Sequence, residues 1–372
     1  MKTFSELGIG DAYIKSLKEL NIVTPTEIQA AVIPKLLGAK TDLIGLAQTG
    51  TGKTAAFGLP VLNAINPTKP EVQALIIAPT RELVQQIKKQ LFKFTKYNEA
   101  KIFVEGVYGG EKIERQIKNL KRPTHIVVAT PGRLLDLIAR EAVNISKVKT
   151  LILDEADEML SMGFKKELSE ILTHSTAKRN TWLFSATMPE GIKRIVKSYM
   201  SPDAIRVEVN KNALVNRNIY HHYITTTIKE KIKVIARLLN KREGERGIIF
   251  CRTKAGTKTI AKQLQEEGFS VGALEGDMKQ KERDKVMRAF KNGSVQVMVS
   301  TDVSARGIDV QNLAFVLHHQ LPEHLDYYTH RSGRTARAGK SGQSIALIVS
   351  GEMKKVEAIQ QALGITFREM VM

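Results

Sequence analysis

The chain is poor in cysteine: of its 372 residues only Cys251 carries a thiol. One thiol excludes an intramolecular disulfide framework and any zinc or cluster site built on several thiolates. A reducing compartment is the simpler setting for such a chain. Long hydrophobic runs are missing too, and no window reaches the ~18 apolar residues of a membrane span. Met1 to Leu20 carries charges throughout and lacks the apolar centre of a secretion signal. The expectation is a cytoplasmic protein with no membrane partner. Acidic residues are the minority, 38 against 57 lysines and arginines, for a net charge of +19. The excess divides as +8 over residues 1–210 and +11 over residues 211–372, so it is not one basic tail. A spread positive field suits a polyanion such as nucleic acid. Charge alone fits a generally basic soluble protein equally well.

What is present is ordinary for a folded chain. Hydrophobic residues make up 42% and charged residues 26%, which excludes wholesale disorder or a collagen-like repeat. The length suggests two or three domains. Short apolar runs recur at Asp42–Ala47, Ala74–Ala78, Ile102–Val107, His125–Ala129, Thr150–Leu153 and Trp182–Phe184. Stretches with helical apolar spacing, such as Leu83–Phe94 and Phe164–Leu172, lie between them. The alternation resumes with Gly247–Cys251, Val271–Leu274, Val295–Ser300, Leu313–His318 and Ser344–Val349, with helices expected over Thr257–Glu267 and Lys281–Lys291. Strands alternating with helices imply an α/β fold, a mostly parallel sheet with helices on both faces. The asparagine-rich stretch Asn210–Asn218 interrupts the pattern and reads as a linker. It separates domains 1–209 and 219–372, and a cleft between two such domains is a common place for a ligand.

Three motifs carry chemistry. Ala47-Gln48-Thr49-Gly50-Thr51-Gly52-Lys53-Thr54 follows a strand and precedes a helix, as a phosphate-binding loop does. Gly50 and Gly52 let backbone N–H groups converge on phosphate oxygens. Lys53 supplies a point charge, Thr54 a hydroxyl for Mg²⁺, and the helix N-terminus a favourable dipole. Leu151-Ile152-Leu153-Asp154-Glu155-Ala156-Asp157 delivers adjacent carboxylates to the end of a strand. There Asp154 would hold Mg²⁺ through its hydration shell and Glu155 would position the attacking water. His330-Arg331-Ser332-Gly333-Arg334-Thr335-Ala336-Arg337 places Arg334 and Arg337 three apart, on one face if the segment is helical. Their guanidinium forks suit the charge that develops on a transferring phosphate.

With these residues the chain resembles the DEAD-box ATP-dependent RNA helicases of superfamily 2, whose name-giving box is Asp154-Glu155-Ala156-Asp157. The resemblance runs from about Phe4 to the end of the chain. Residues 4–29 resemble the Q motif, with Phe4, Ile22 and Gln29 implied to serve the adenine. Pro79, Thr80, Arg81, Gly110, Thr130, Gly132 and Arg133 match the RNA-facing motifs of the first domain. Arg252, Thr253, Gln280, Arg283 and Thr301 match those of the second. Ser185 and Thr187, with Asp157 and His330, match the groups that couple hydrolysis to RNA. Gly307 and Asp309 are implied to reach the nucleotide when the cleft closes. The resemblance implies two tandem RecA-like domains, with ATP and Mg²⁺ in the cleft and single-stranded RNA across both. It further implies local separation of short duplexes, or remodelling of RNA–protein complexes, by a monomer. Two positions depart from the family pattern. Asn21-Ile22 stands where the Q motif has Gly-aromatic, and Glu275-Gly276-Asp277 where His-Gly-Asp is frequent.

Two further readings follow from the same residues: an ATP-gated RNA clamp with little unwinding, and a DNA-capable helicase. Glu155, Arg334 and Arg337 speak against a pure clamp, which needs no activated water. The target is not written in the chain. Either specificity comes from partner proteins, ribosomal or RNA-decay proteins among the candidates, or it is absent. Trp182 and Cys251 read as core residues, His221-His222 as strand histidines, and Lys88-Lys89 and Lys165-Lys166 as solvated helix faces.

Overall fold

Apolar segments bounded by polar turns become strands wherever two layers of helix bury both of their sides. Thr150-Leu-Ile-Leu153 is the pattern: every residue is buried, as a central parallel strand requires. The computed structural model describes residues 2–38, 41–48, 50–175, 178–209, 218–305, 313–336 and 340–371. The chain divides into two compact units, Met1–Val209 and Asn210–Met372.

The first unit holds β1 (Leu43–Leu46), β2 (Ala74–Ile77), β3 (Val104–Val107), β4 (Ile126–Ala129), β5 (Thr150–Leu153), β6 (Asn180–Ser185) and β7 (Ile205–Glu208). They form one sheet in the order β3-β4-β2-β5-β6-β1-β7. The second unit holds β8 (Ile219–Thr225), β9 (Gly247–Cys251), β10 (Val271–Leu274), β11 (Val297–Thr301), β12 (Phe315–His318), β13 (Gly342–Ile348) and β14 (Phe367–Glu369). Its order is β10-β11-β9-β12-β13-β8-β14. Every strand pairing in both sheets is parallel, so all the carboxy-terminal strand ends of a sheet share one edge. That edge is where open α/β sheets bind ligands.

Each sheet has a core on both faces. In β1, Leu43 joins one cluster with Ile76, Ile152 and Phe184, while Ile44 joins the opposite one with Ile77, Leu153 and Leu183. In β9, Ile249 and Cys251 face one side, Ile248 and Phe250 the other. Two tandem α/β units with helices on both faces is the fold expected from the sequence. Two strands were not foreseen: β7 and β14, short edge strands rich in charge. β8, Ile-Tyr-His-His-Tyr-Ile-Thr, contains the pair His221-His222 read as strand histidines, though its bounds were not given by the sequence pattern. The linker residues 210–217 lie outside the described residues. Asn218 is the first described residue of the second unit, and its carbonyl accepts the Gly342 N–H at 3.0 Å.

One local expectation is corrected. Arg334 does not lie on a helix: the helix Leu325–Ser332 stops at Ser332, with Gly333 as its C-cap. Thr335 then bridges to Leu313, and Ala336 takes a left-handed φ of 55°. Glycine at 333 and pairing of the next segment with residue 313 end the helix before Arg334. Arg337 lies outside the described residues.

Candidate nucleotide and RNA site

The phosphate loop is built by β1 and the helix Lys53–Ala64, which starts at Lys53. Gly50 and Gly52 have φ of 85° and 91°, the left-handed region that glycine enters without strain. Gly52 is required twice over, since a Cβ there would sit 2.4 Å from Gln29 Nε2. Lys53 is buried and its Nζ donates to the Ala47 carbonyl at 2.9 Å, while Thr51 Oγ1 donates to Gln48 O at 2.8 Å. Gln29 is 2% exposed. Its Nε2 donates to Gly52 O at 3.1 Å and its Oε1 accepts the Thr26 N–H at 3.0 Å. Thr26 Oγ1 donates to Thr51 O at 2.8 Å. Thr26, which the sequence reading left without a role, therefore joins Gln29 in clasping the loop. Phe4 is buried in the core, and Ile22 packs against that core. Thr54 is partly buried at the start of the helix. Thr49, Gly307 and Asp309 lie outside the described residues.

The acidic pair stands at the end of β5. Asp154 N donates to Ile77 O at 2.9 Å, continuing the ladder one residue beyond the strand. Glu155 then turns left-handed, with φ 50° and ψ 51°, and opens the helix Ala156–Ser161. A left-handed glutamate costs conformational energy and recurs at functional sites. Both carboxylates are nearly buried. Burial pushes the Asp154 carboxyl up to about 7; the Lys53 ammonium opposes this and the Glu155 carboxylate adds to it. Such a site favours an added cation, and hydroxyl and carboxylate oxygens are the hard donors that magnesium takes. Thr54 and Asp154 thus fit the ion expected there. Among the described residues no cluster of three or more metal-ligating side chains occurs, as suits an ion held mainly by substrate and water.

Asp157 links β5 to β6. Its Oδ2 accepts from Thr187 N and Thr187 Oγ1, both at 2.9 Å, and from Ala186 N at 3.2 Å. Ser185 Oγ accepts the Asp157 N–H at 3.3 Å and donates to Thr187 O at 2.7 Å. The candidate coupling residues of the first unit therefore form one polar knot.

The candidate RNA residues of this unit lie on the same sheet edge, after β2, β3 and β4. Thr80 caps the helix Arg81–Phe94, its Oγ1 accepting Leu83 N at 3.3 Å. Pro79 precedes it, and the Arg81 guanidinium lies over the Tyr108 ring, 4.9 Å from its centroid. Gly110 is left-handed at φ 80°. Thr130 and Gly132 open the helix Pro131–Ala139. Arg133 Nη1 donates to Glu111 O at 3.1 Å and Gln116 Oε1 at 3.0 Å, and Gln116 Nε2 donates to Tyr108 O at 2.9 Å. Tyr108 and Gln116 are the supports that the sequence reading missed; the neighbouring Gly109-Gly110 was their only signal.

In the second unit, Arg252 and Thr253 follow β9, and Thr253 caps the helix Lys254–Glu266. Arg252 Nη2 donates to Leu321 O at 3.2 Å. Gln280 opens the helix Gln280–Lys291, and Arg283 Nη2 donates to Ser304 O at 2.9 Å. Thr301 ends β11, with Oγ1 3.0 Å from Ser304 Oγ. His330 sits in the last turn of the helix Leu325–Ser332. Arg334 is 8% exposed, and its backbone N–H donates to Arg331 O at 3.1 Å. Glu275 has a structural account: Oε2 accepts the Asp277 N–H at 2.6 Å, and Oε1 meets Lys258 at 3.1 Å.

A glycine loop after the first strand and paired acids after the fifth, on one edge of a parallel sheet, are the layout of a phosphate-loop nucleotide-binding enzyme. Residues 26–195 match the family model for the DEAD/DEAH box helicase, and residues 230–339 that for the helicase conserved C-terminal domain. The DEAD-box ATP-dependent RNA helicase CshA of Bacillus cereus is 42% identical over 361 residues, covering 96% of this chain and 68% of that protein. The Geobacillus kaustophilus CshA is 40% identical, covering 97% of this chain and 76% of that one. Among solved structures, Saccharomyces cerevisiae Dbp5 bound to RNA and ADP BeF3 superposes with a TM-score of 0.91 at 30% identity, over 100% of this chain and 96% of that one. The chain belongs to the family of DEAD-box ATP-dependent RNA helicases. Among the described residues no helix is long and apolar enough to cross a membrane.

Proposed function

We propose that this protein hydrolyses ATP when single-stranded RNA is bound, and thereby separates short RNA duplexes or remodels RNA–protein complexes. The observation that carries this is the division of the first unit's sheet edge. The phosphate loop, the acidic pair and the Ser185–Thr187 segment end β1, β5 and β6, while the RNA residues end β2, β3 and β4. β2 and β5 are hydrogen-bonded neighbours, so the two groups meet side by side. Gln29 reads the adenine edge, and because the same amide holds Gly52, base recognition reaches the phosphate loop directly. Lys53 exchanges the Ala47 carbonyl for phosphate oxygens. Thr54 and Asp154 would hold a magnesium ion, which would supply positive charge to the triphosphate. Glu155 orients the attacking water. Arg334 and Arg337 stabilise charge on the transferring phosphoryl group, with Gly307 and Asp309 completing the nucleotide contacts. Asp157, tied to Ser185 and Thr187, passes the state of the acidic pair to the next strand end. The RNA residues of both units hold phosphates and 2′-hydroxyls, contacts that tolerate any sequence and prefer RNA to DNA.

The test is steady-state ATP turnover with single-stranded RNA and with DNA of the same sequence, together with strand separation of a short duplex. RNA should stimulate turnover strongly and DNA little, and RNA affinity should fall with salt at about −0.7 per phosphate contacted. Equal stimulation by both polymers would favour a DNA-capable enzyme. RNA retention without strand separation would favour a clamp.

A further inference from the structure

Behind Arg334 lies a buried polar chain that the functions above do not use. Arg331 is 2% exposed. Its Nε and Nη2 donate to Asp302 Oδ1 and Oδ2 at 2.5 and 2.7 Å, and Nη1 donates to Gln320 O at 2.8 Å. Nη1 also lies 3.4 Å from His318 Nδ1. His318 Nε2 is 3.0 Å from Ser344 Oγ, which also meets Ser332 Oγ at 2.9 Å and Tyr328 OH at 3.2 Å. Tyr328 OH lies 2.7 Å from His221 Nδ1. The chain thus runs from the segment after β11, through the helix Leu325–Ser332 and β12 and β13, to β8.

The proton positions follow from donor capacity. Arginine only donates, so His318 Nδ1 accepts and its Nε2–H points at Ser344. Ser344 has one proton. Accepting from His318, Ser344 gives that proton either to Tyr328, which then donates to His221 Nδ1, or to Ser332, in which case His221 Nδ1–H donates to Tyr328 and Tyr328 to Ser344. Every link is satisfied in either run. Both imidazoles must be neutral for this. Burial lowers His318 well below its ordinary range, with Arg331 adding to the effect, and lowers His221 to about 4.

Two carbonyls of this assembly hold the following turn. Arg334 N donates to Arg331 O at 3.1 Å and Thr335 N donates to Ser332 O at 3.2 Å. The residues whose side chains are locked in the network therefore set the backbone of Arg334. We propose that Tyr328, His318 and Ser344 are positioning residues, which act on phosphoryl transfer through Arg331 by fixing the seat of Arg334. This rests on the reading of Arg334 as the group that meets the transferring phosphate.

A double-mutant cycle on the full chain tests it. Tyr328→Phe keeps the ring and removes the link to His221 and Ser344. RNA-stimulated kcat should fall about tenfold while KM for ATP stays within about twofold, because misplacement acts on the transition state. In an Arg334→Ala background the same change should cost less than about twofold, since the group it positions is gone. Multiplication of the two losses would mean a general structural defect and would overturn the positioning role while leaving the reading of Arg334 intact. Unchanged turnover in Arg334→Ala alone would overturn both. If Tyr328→Phe melts below the assay temperature, Ser332→Ala takes its place in the cycle; it removes one hydrogen-bond partner of Ser344, and the same non-multiplicative pattern is expected and the same multiplication would refute.

Discussion

Strand for strand the two sheets have the same winding order, yet their functional edges differ in kind. After β1 a glycine loop leads to Lys53, the first residue of its helix. After β8, residues 226–230 contain no glycine and lead to Lys231, the first residue of the helix Lys231–Asn240. Lys231 is buried, and its ammonium is spent on the carbonyls of His319 at 2.5 Å and Leu347 at 3.3 Å. Past β5 stand Asp154 and Glu155; past β12, at the same two places, stand His319 and Gln320. In the second unit the lysine is tied to the ends of β12 and β13, and the carboxylates are replaced by residues uncharged at neutral pH. The same topology thus carries a candidate phosphate site in one unit and, at the matching place in the other, a lysine spent on backbone carbonyls. Fold alone does not decide function; a few side chains at strand ends do.

The sharpest way to break this comparison is to make the first edge resemble the second. Glu155→Gln puts at β5 the residue type that Gln320 already supplies after β12. ATP hydrolysis should fall at least ~100-fold, within the range lost with a positioned base, while ATP and RNA binding persist. Single-turnover hydrolysis beside a fluorescent-nucleotide titration measures both. Near-normal turnover would remove Glu155 from the mechanism.

The two lysines give the next contrast. Lys53→Ala should weaken ATP binding about tenfold or more, the loss of a charge-assisted hydrogen bond of about 1.5–3 kcal/mol, with little change in melting temperature. Lys231→Ala should do the reverse. It strands two buried carbonyls, costing about 1–3 kcal/mol of stability, and leaves KM for ATP where it was. Thermal melts and ATP titrations of both variants decide it. An ATP-binding defect in Lys231→Ala would mean that Lys231 is not merely spent on those carbonyls.

Much of this edge was legible in the sequence, for a physical reason. Phosphate loops and strand-end acids need fixed residue types at fixed spacing, so Lys53, Gly52 and Asp154 announce themselves. Alternating apolar runs likewise reveal the parallel strands. What stayed hidden depends on contacts far apart in the chain. β8 shows only its histidine pair as strand, and its bounds stay hidden because those histidines find partners only in the folded unit, as His221 does in Tyr328. Thr26 and Gln29 clasp the loop through backbone carbonyls, which leave no pattern. The helix before Arg334 ends where Gly333 and the Leu313 bridge dictate, and helical spacing of two arginines carries no sign of that. Tyr108 and Gln116 support Arg81 and Arg133 across three strand ends, and their spacing matches no motif.

The smallest effect separates the two edges by proton counting. The residue following β5 is an acid that burial pushes up to about 7, from an ordinary value of 3.8. The residue following β12 is a base, His319, that burial pushes down to about 4, from 6.5. Burial favours the neutral form in both, but the consequences for stability have opposite sign. Between pH 3.8 and about 7 the folded chain keeps a proton on Asp154 that the unfolded chain has released, so this contribution to stability is lost as pH rises through that window. Between about 4 and 6.5 the unfolded chain binds a proton at His319 that the folded chain excludes, so that contribution is lost as pH falls. Without nucleotide, Asp154→Asn should therefore raise the melting temperature relative to the parent by an amount that grows from pH 5 to pH 7 and then levels. His319→Gln should show a relative gain that grows from pH 7 to pH 5. Each slope is at most about 1.4 kcal/mol per pH unit, the value of one proton. Slopes of the same sign in the two variants would show that the edges respond alike to burial, and the contrast between an acid poised to meet a cation and a base beside Lys231 would fall.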